Sequence, residues 1–590
     1  MDSRTAAHAL DHIASLLELH GENAFKTRAY RGAARAVLDL DADDLAPLLR
    51  SGELERTHGI GPATLAVLRD LIETGESRYL MQLSESTPEG LLDMLRVPGL
   101  GPAKIFQIHE GLGVDSVAEL EAAARDGRLS SLKGFGAKTA EKILRGIEFL
   151  RATGTLSLYH RALAEGRRLL SSVREHPDVA AAELAGSLRR RREVIGDIDI
   201  VAATAADPAA VAASFARAPG VGQVTGAGTP DVCIRYVDGT RLDLHCVPPA
   251  DFAVALWRAT GSADHLERMT ERAQTLGFRL AGDVLLDASG HRVPVPDETA
   301  LYAALGLAFI PPELREGRGE VDAAARQALP VLLTLGDIRG VVHCHTSYSD
   351  GKATVEEMAR AAAERGWSYL GISDHSRSAF YAGGLSPEAV VAQHEEIDRV
   401  NRQLADDGVA LRLLKGIEAD ILPDGRLDYD AALLDRFDYV IGSVHSRFRM
   451  DERTMTDRVL TAMDDPHLTI LGHPTGRLLL SREPYAIDMQ AVIERAGETG
   501  VVIELNADPH RLDIDWRLLK DALEHDVMIE IGPDAHSPGG LDNVEFGVGV
   551  ARKGWVTPAD VLNAQPVAAL LSRAARRRNG RPARAGSTPR

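Results

Sequence analysis

The 590-residue sequence predicts a multidomain α/β protein with an all-α N-terminal region, a mixed α+β middle and a C-terminal barrel of strands and helices. Three observations predict this. Leu, Ala and Ile recur at helical spacing through residues 1–150, with short Gly-Pro breaks. Helices and short strands mix over 151–320. From 335 to about 570, short apolar runs alternate with helical stretches, which is the layout of a β/α barrel.

Composition restricts the class of protein. Hydrophobic residues make up 45% and charged residues 26%, as in ordinary soluble globular proteins. Apolar runs stay below the roughly 20 residues of a membrane span, and residues 1–17 lack a signal-peptide pattern. Three scattered cysteines, Cys233, Cys246 and Cys344, suggest neither a disulfide framework nor a zinc motif, so we expect a cytoplasmic protein. The net charge of −19 means that any nucleic-acid binding must use local features.

A glycine pattern recurs three times in the N-terminal region, in "THGIGPATLAVL" (57–68), "VPGLGPAKIFQI" (97–108) and "LKGFGAKTAEKI" (132–143). The glycines permit a tight turn, and the next helix begins with free backbone N–H groups that can hold a phosphate. One copy would fit a plain helix–turn–helix connection. Three copies resemble helix-hairpin-helix motifs, which bind the DNA backbone without reading its sequence. The DNA-binding glycines would be Gly59, Gly61, Gly99, Gly101, Gly134 and Gly136.

Three aspartates on two predicted strands indicate a second kind of site. Asp197 and Asp199, in "GDIDIV", are two residues apart and so project from one face of a strand. Asp243 lies among alternating apolar residues in "TRLDLHCV". Carboxylates brought this close need cations, and two Mg²⁺ ions about 3.5–4 Å apart would support an in-line phosphoryl displacement.

The segment before these aspartates, "GSLRRRRE", has donors suited to a triphosphate. Gly186 and Ser187 offer a backbone and hydroxyl cradle, and Arg189–Arg192 supply positive charge. The alternative is a surface arginine run beside an ordinary strand.

Together these residues resemble the family X DNA polymerases, of which polymerase beta is the familiar member, over about residues 1–320. The resemblance implies a palm nucleotidyltransferase with fingers and thumb, which fills gaps by nucleotidyl transfer to a DNA 3′ end. Its partners would be gapped or nicked double-stranded DNA and dNTPs, and it would act as a monomer. The three aspartates would be catalytic and hold two Mg²⁺ or Mn²⁺ ions. The nucleotide-binding residues by motif position would be Gly186, Ser187, Arg190, Gly196, Thr260, Gly261 and Ser262.

Several positions bear on how far the family's properties carry over. Lys26 and Tyr30 match the positions that contact the 5′-phosphate side of DNA. The family's Schiff-base lysine falls at Val67, which has no amine, so we expect no strong lyase activity by that route. Arg258 replaces an aromatic residue near the sugar, and Leu266 replaces an asparagine that reaches the base pair.

Polar residues follow a series of apolar runs in the C-terminal region. The first is "VVHCHTSYSDG" (341–351), and six of seven strand-like runs end in a candidate metal ligand. A single histidine after a strand is usually a loop residue, but a set at equivalent strand ends would meet on one face of a barrel. The set is His343, His345, Asp350, His375, Glu418, His445, His473, Asp534 and His536.

These motifs resemble the PHP (polymerase and histidinol phosphatase) domain over about residues 335–570. The resemblance implies a distorted (β/α)7 barrel with three ions, and the mixed ligands suit Zn²⁺, Mn²⁺ or Fe. One ion would lie between His343, His345, Glu418 and Asp534; a second between Glu418, His445 and His473; the third between Asp350, His375 and His536. A metal-bound water would attack a phosphodiester or phosphomonoester. Because the ligand set is complete, we expect an active site.

The expected domains are an N-terminal helical domain (1–80), fingers with helix-hairpin-helix motifs (81–150), palm (151–245), thumb (246–320), linker (321–336), PHP domain (337–570) and a basic disordered tail (571–590). The favoured hypothesis is a bifunctional DNA-repair enzyme: a polymerase with a PHP 3′–5′ exonuclease, with AP endonuclease or 3′-phosphatase activity as an extension. Two alternatives stay open. One is a PHP phosphoesterase with a catalytically weak, DNA-binding polymerase half, and the other is a small-molecule phosphatase similar to histidinol phosphatase.

Overall fold

The computed structural model describes residues 1–580 except positions 2, 41, 43, 75–76, 78, 81, 84–86, 96, 98, 133, 154–155, 219 and 237–238. The chain divides into two compact units, Met1–Gly154 and Thr155–Arg590. Across the described ranges, no helix is both long and apolar enough to cross a membrane.

The first unit is helical, as its periodicity predicts. Leu10, Ile13 and Leu17 lie on one face of the first helix and belong to one buried apolar cluster, while Ile105 and Ile143 belong to a second. The helices are α1 (Ser3–Leu19), α2 (Ala24–Leu38), α3 (Ala46–Arg50), α4 (Glu53–Arg56), α5 (Pro62–Thr74), α6 (Glu89–Leu95), α7 (Pro102–Leu112), α8 (Val117–Arg125) and α9 (Ala137–Thr153).

The three glycine hairpins share one backbone geometry. Gly59, Gly99 and Gly134 have φ of +97°, +79° and +92°, the left-handed region that favours glycine. In each copy a helix begins three residues later, at α5, α7 or α9. The repeated sequence pattern therefore corresponds to a repeated turn that opens onto a helix N-terminus.

The second unit begins with an α+β domain around a five-stranded sheet of order β2-β4-β7-β6-β5. Strands β4 and β7 are parallel, and Asp199 pairs with Asp243 across them. Buried Ile198, Ile200 and Leu244 fill the opposite face. The elements are β1 (Ser157–Leu158), α10 (Tyr159–Arg174), β2 (Val179–Leu184), α11 (Gly186–Arg189), β3 (Val194–Ile195), β4 (Ile198–Thr204), α12 (Pro208–Phe215), β5 (Val221–Thr225), β6 (Asp231–Tyr236) and β7 (Arg241–Val247).

The thumb follows as a small helical domain with a β-hairpin. Its elements are α13 (Phe252–Thr260), α14 (Ala263–Thr275), β8 (Arg279–Ala281), β9 (Val284–Leu286), α15 (Glu298–Ala304) and α16 (Glu320–Ala325). Val321 and Ala324 of α16 pack in the same core as Trp257 and Tyr302. The expected linker at 321–336 is therefore partly a thumb helix, because its apolar side chains are buried there.

Residues 340–532 form a barrel of seven parallel strands, which confirms the expected fold. The strands pair in chain order, and a bridge between Cys344 and Ala535 closes the barrel. One strand is interrupted between β12 and β13, where a Cβ on Gly416 would lie 2.2 Å from the buried Tyr439 ring. The strands are β10 (Gly340–Val341), β11 (Tyr369–Ile372), β12 (Arg412–Lys415) with β13 (Glu418–Asp420), β14 (Ile441–Ser443), β15 (Ile470–Leu471), β16 (Val502–Asn506) and β17 (Ile529–Gly532).

Helices cover the barrel, and six of them start with a Ser, Thr or Asp side chain that accepts a backbone N–H of the first turn. The helices are α17 (Val355–Glu364), α18 (Pro387–Asp406), α19 (Ala431–Leu434), α20 (Glu452–Asp464), α21 (Met489–Thr499), α22 (Trp516–Glu524), α23 (Val544–Lys553) and α24 (Val567–Arg578).

The basic C-terminal stretch differs from the expected disordered tail. Residues up to Arg578 belong to α24, and residues 581–590 lie outside the described part of the chain. The Arg577 guanidinium donates to the carbonyls of Leu468 (2.5 Å), Thr499 (2.6 Å), Met463 and Asp465 (both 2.8 Å). An arginine suits this position because the several N–H donors of its guanidinium satisfy carbonyls at loop and helix ends.

Arg577→Met should destabilise the second unit by about 2–4 kcal/mol, because it leaves several buried carbonyls without donors. Urea denaturation followed by tryptophan fluorescence measures this. Arg576→Met is the matched control, since the Arg576 side chain is exposed. Equal stability of the two variants would show that α24 contributes no more than a solvated tail.

Candidate active sites and metal centre

The Glu418 carboxylate is the centre of the barrel site. It is buried at the start of β13, where histidines from four other strand ends converge. The imidazole nitrogens lie within 4 Å of its two oxygens: His375 Nδ1 and His473 Nε2 at 2.9 Å, His445 Nε2 at 3.2 Å, His343 Nε2 at 3.5 Å and His345 Nε2 at 3.7 Å. Parallel strands that end on one face of the barrel produce this convergence.

Two further carboxylates complete the cluster. Asp534 Oδ1 lies 3.2 Å from His345 Nε2 and 3.6 Å from His343 Nε2. Asp350 Oδ1, nearer the solvent, lies 3.3 Å from His536 Nε2 and 3.6 Å from His375 Nε2. The structure therefore brings all nine predicted residues together at one end of the barrel.

Ligand-like atoms also form three overlapping groups that could each hold an ion. The groups are His345, Asp350, His375 and His536; His343, His345 and Asp534; and His375, Glu418 and His445. The sets implied by the family resemblance differ from these groups in four respects. His345 also belongs to the outer group, and His375 also belongs to the group of Glu418 and His445. Glu418 is absent from the group of His343, His345 and Asp534, and His473 belongs to none of the three, although its Nε2 lies 2.9 Å from Glu418 Oε1. The assignment of ligands to individual ions stays a prediction.

In several cluster histidines, the ring nitrogen that faces away from the carboxylate cluster contacts an acceptor of its own. His445 Nδ1 lies 2.7 Å from Asp420 Oδ1, and His536 Nδ1 lies 2.9 Å from the Asp534 carbonyl. His343 Nδ1 contacts Glu504. Metal-ligating histidines typically donate their other N–H to such acceptors, which fixes the tautomer and directs the free nitrogen at the ion.

Sequence reasoning missed two of the carboxylates that support these ligands. Glu504, fully buried on β16, contacts His343 and accepts the His473 backbone N–H at 2.6 Å. Asp374 accepts from the Thr346 backbone N–H (2.7 Å) and from the Gln393 amide (2.6 Å). The available signals were that Asp374 directly precedes His375, and that Glu504 lies within the one strand-like run without a predicted ligand.

Burial and neighbouring charges strongly shift the pKa values of several residues in the cluster. Burial alone would raise the pKa of Glu418, but His445, His375 and His343 hold it well below its usual range. Burial works against protonation of His375, yet Glu418 and Asp350 raise its pKa to about 10. Burial and the neighbouring His375 lower the pKa of His345 to about 3. The Glu418 carboxylate therefore stays ionised, and the carboxylates around His375 favour its protonated form.

Unsatisfied atoms test whether metal ions fit. Buried nitrogens or oxygens of five cluster residues lack a hydrogen-bond partner: His343 Nε2, both nitrogens of His345, His375 Nδ1, His473 Nδ1 and Glu418 Oε2. Buried polar atoms are rarely left unpaired in native proteins, and a coordinated cation would account for them. Imidazole with carboxylate suits Zn²⁺, Mn²⁺ or Fe. The residues therefore fit the expected metal centre.

The aspartates of the α+β domain form a second site. Burial, with Asp197 and Asp243 adding to it, raises the pKa of Asp199 to about 7, and burial and Asp243 also raise the pKa of Asp197. Arg241 lies between them, with Nη2 2.7 Å from Asp243 Oδ2 and Nη1 3.7 Å from Asp197 Oδ2. Three carboxylates against the single Arg241 guanidinium form an oxygen-only donor set with excess negative charge, so Mg²⁺ or Mn²⁺ fits here.

The proposed nucleotide residues differ in placement. Gly186 (φ +58°) directly contacts Asp199, since a Cβ would lie 1.7 Å from its Oδ2. Thr260 is buried, and its hydroxyl donates to the Leu256 carbonyl at 2.6 Å. Ser262 Oγ accepts the His265 N–H at 3.2 Å and caps α14. Gly196 and Gly261 are half-buried. Nucleotide contacts by these residues stay predictions.

Arg190 lies close enough to Asp199 to lower its pKa, but its guanidinium already has protein partners. Nε lies 3.0 Å from Glu316 Oε1, and Nη1 donates to the Thr260 carbonyl at 2.7 Å. The sequence predicted that the arginine run binds a triphosphate. In the structure, Arg190 of this run already pairs with Glu316 and the Thr260 carbonyl.

Arg258 also has protein partners, at the edge of a cavity of about 440 Å³ that Asp199 and Asp243 line. Its Nε donates to Asp283 Oδ1 at 2.9 Å, and Asp283 Oδ2 lies 2.9 Å from His245 Nε2. Leu266 packs against the thumb core.

In the first unit, Val67 is buried in an apolar cluster, which agrees with the absence of a reactive amine. Tyr30 is buried too, and its ring stacks on Tyr79 with centroids 6.0 Å apart. Lys26 Nζ lies 5.6 Å from the Tyr79 ring centroid and is exposed. Of these two predicted DNA contacts, Lys26 is the accessible one, whereas burial makes Tyr30 primarily a core residue.

Comparison with known proteins covers both units. Family models match for a helix-hairpin-helix domain (residues 1–77), a SAM-like helix-hairpin-helix tandem (91–148), the DNA polymerase beta thumb (255–316) and a PHP domain (342–508). The DNA polymerase/3′-5′ exonuclease PolX of Bacillus subtilis (strain 168) is 36% identical over 568 residues, covering 96% of this chain and 98% of the relative. A probable phosphatase of Thermoanaerobacter sp. (strain X514) is 27% identical over 232 residues, 38% of this chain and 88% of the relative.

Glu418→Gln should lower the number of transition-metal ions bound per chain, because the amide keeps the shape but removes the charge that five imidazoles share. Elemental analysis after loading with Mn²⁺ or Zn²⁺ and dialysis measures this. His291→Ala is the control, since that side chain is 80% exposed. Equal metal content in the two variants would count against a metal centre at Glu418.

Asp199→Asn should stabilise the metal-free protein more at pH 8 than at pH 5. The folded pKa of about 7 lies above the ordinary 3.8, so the folded state loses stability as pH rises between these values, and the full penalty is present above pH 7. At about 1.4 kcal/mol per pKa unit, the gain is at most about 4 kcal/mol. Thermal unfolding in EDTA measures it, with exposed Asp178→Asn as control. An equal gain at both pH values would contradict the raised pKa, and Mg²⁺ should stabilise the wild type and Asp178→Asn more than Asp199→Asn.

Proposed function

The chain belongs to the family X DNA polymerases that carry a C-terminal PHP domain, and we propose that it is a DNA-repair enzyme that both fills gaps and trims DNA 3′ ends. The observation that carries this proposal is the presence of two separate acidic sites in one chain, each with its charges arranged for cations. The substrates are gapped or nicked double-stranded DNA and dNTPs. The protein acts as a monomer in the cytoplasm.

In the synthesis reaction, the helix-hairpin-helix turns hold DNA backbone through the N–H groups at the starts of α5 and α7. Asp197, Asp199 and Asp243 would hold two Mg²⁺ or Mn²⁺ ions, which when bound would supply positive charge for the triphosphate and the 3′ oxygen. The Gly186 backbone lies against Asp199, so the Gly186–Ser187 turn would present its backbone N–H groups and hydroxyl to the triphosphate. Together these residues align the 3′ end with the incoming nucleotide.

In the hydrolytic reaction, the barrel cluster provides the ligands for up to three ions, which when bound supply an activated water and charge stabilisation. The protein's own contribution is orientation. Glu504 and Asp420 fix the tautomers of His343 and His445, so that their Nε2 atoms point toward Glu418. Asp350, half-exposed at the outer edge, is the carboxylate nearest to an entering phosphate.

Features at the outer edge of the barrel favour a polynucleotide over a small phosphate ester. Arg377 and Arg447 each lie two residues after a cluster histidine, His375 or His445, and the two rings are 5.2 Å apart. Both arginines are exposed. Cations free to contact successive phosphates suit a DNA strand. Phe380, 85% exposed in the same loop as Arg377, offers a surface for stacking a base.

A second candidate function is a PHP exonuclease with a weak polymerase half that serves mainly to bind DNA. The contacts of Arg258 with Asp283, beside the cavity where the nucleotide sugar would lie, favour it. Abasic-site cleavage and 3′-phosphate removal are extensions of the same hydrolytic chemistry. Normal affinity for gapped DNA without nucleotide incorporation would identify this second function.

Asp197→Ala should lower nucleotide incorporation on the order of 10²–10³-fold and leave 3′-end hydrolysis unchanged, and His343→Ala should do the reverse. The measurement is a time course on a labelled gapped duplex with Mn²⁺, with and without dNTP. Wild-type protein that neither extends nor shortens any DNA end would overturn the proposed function. Release of phosphate from histidinol phosphate, but not from DNA, would instead identify a small-molecule phosphatase.

A further inference from the structure

The turn that contacts Asp199 is followed by four consecutive arginines with partners in other domains. Arg189 forms a two-point contact with Glu298 of the thumb, at 3.0 and 2.6 Å. Arg190 contacts Glu316 at 3.0 Å, and Arg192 Nη1 lies 3.5 Å from the other Glu316 oxygen. This segment, residues 189–192, is thus tied to the thumb side by carboxylates that are almost fully buried.

The PHP domain reaches the same carboxylates through helix α23. The Lys553 ammonium contacts Glu316, donates to the Arg190 carbonyl at 3.1 Å and lies 4.6 Å from the Trp516 ring centroid. The Lys553 side chain is fully buried. Burial lowers the pKa of Lys553 to about 8 although Glu316 opposes the shift. Because the Lys553 ammonium is buried, it must keep these contacts, and it therefore fixes the positions of Glu316 and the Arg190 carbonyl.

These contacts form a continuous path from the PHP domain to the synthesis site. Lys553 fixes the Arg190 carbonyl and, through Glu316, the Arg190 side chain. The Arg190 N–H in turn donates to the Gly186 carbonyl at 3.2 Å. Gly186 lies directly against the Asp199 carboxylate. A shift at Lys553 therefore changes the position of the turn that faces the catalytic aspartates.

We propose that Lys553, a residue of the PHP domain, is a positioning residue for nucleotide addition, because it holds the Gly186–Ser187 turn against Asp199 through Glu316 and Arg190. The inference rests on the proposed polymerase function. It makes the PHP domain part of the synthesis machinery in addition to carrying its own site.

Lys553→Met in the full chain tests this. The variant should raise the KM for dNTP in gap filling about five- to tenfold, with a smaller effect on kcat. Hydrolysis of a single-stranded 3′ end should stay within about twofold of wild type, since Lys553 contacts none of the nine cluster residues. Lys520→Met is the matched control: Lys520 lies on the neighbouring helix α22, is exposed, and also packs over a tryptophan, with Nζ 5.0 Å from the Trp555 ring centroid.

Glu316→Gln provides a second variant that keeps the side-chain shape. It should also raise the KM for dNTP, and the double variant should lose less than the product of the two single effects, because the two substitutions remove the same Lys553–Glu316 contact. If Lys553→Met does not fold, Glu316→Gln still tests whether the Lys553–Glu316 contact affects the KM for dNTP. An unchanged KM for dNTP, or a parallel fall in synthesis, hydrolysis and melting temperature, would overturn the inference. Wild-type protein without any nucleotide incorporation would instead overturn the polymerase function.

Discussion

The C-terminal half of this protein is organised around one buried carboxylate, Glu418, that five imidazoles surround within 4 Å. A buried charge is tolerated only when opposite charge compensates for it. Protonated histidines supply that charge in the metal-free protein, and cations would replace those protons on binding. The converging strand ends, the carboxylates that contact the outer ring nitrogens and the ring nitrogens without a hydrogen-bond partner all hold this arrangement.

The synthesis site meets the same constraint in another way. Its three aspartates lie nearer to solvent, and Arg241 compensates two of them directly. Asp199, the most enclosed, keeps a raised pKa instead. The two sites therefore differ in their dependence on metal: an oxygen-only site with one arginine suits hard divalent ions, and the imidazole-rich barrel suits transition metals.

Charge also connects the domains of the second unit. Arg189 pairs with a thumb glutamate, Arg190 pairs with Glu316, and Lys553 and Arg552 of the barrel domain reach Glu316 and Glu313. Such buried ion pairs add little net stability, but they form only when the partners keep a specific relative position. They suit a joint that holds the Gly186–Ser187 turn in one position against Asp199.

The sequence by itself determined the fold classes, the two acidic sites and all nine residues of the barrel cluster, because strand ends and ligand types repeat in a local pattern. It also indicated the three hairpins, whose glycines are required by positive φ. Only the tertiary structure decided the partners of the arginine run, the burial of Tyr30 and the role of Glu504. It likewise showed that the basic stretch up to Arg578 is a packed helix. These features depend on which residues distant in sequence supply the opposite charge, the covering side chain or the carbonyl, and local patterns carry no information about such partners.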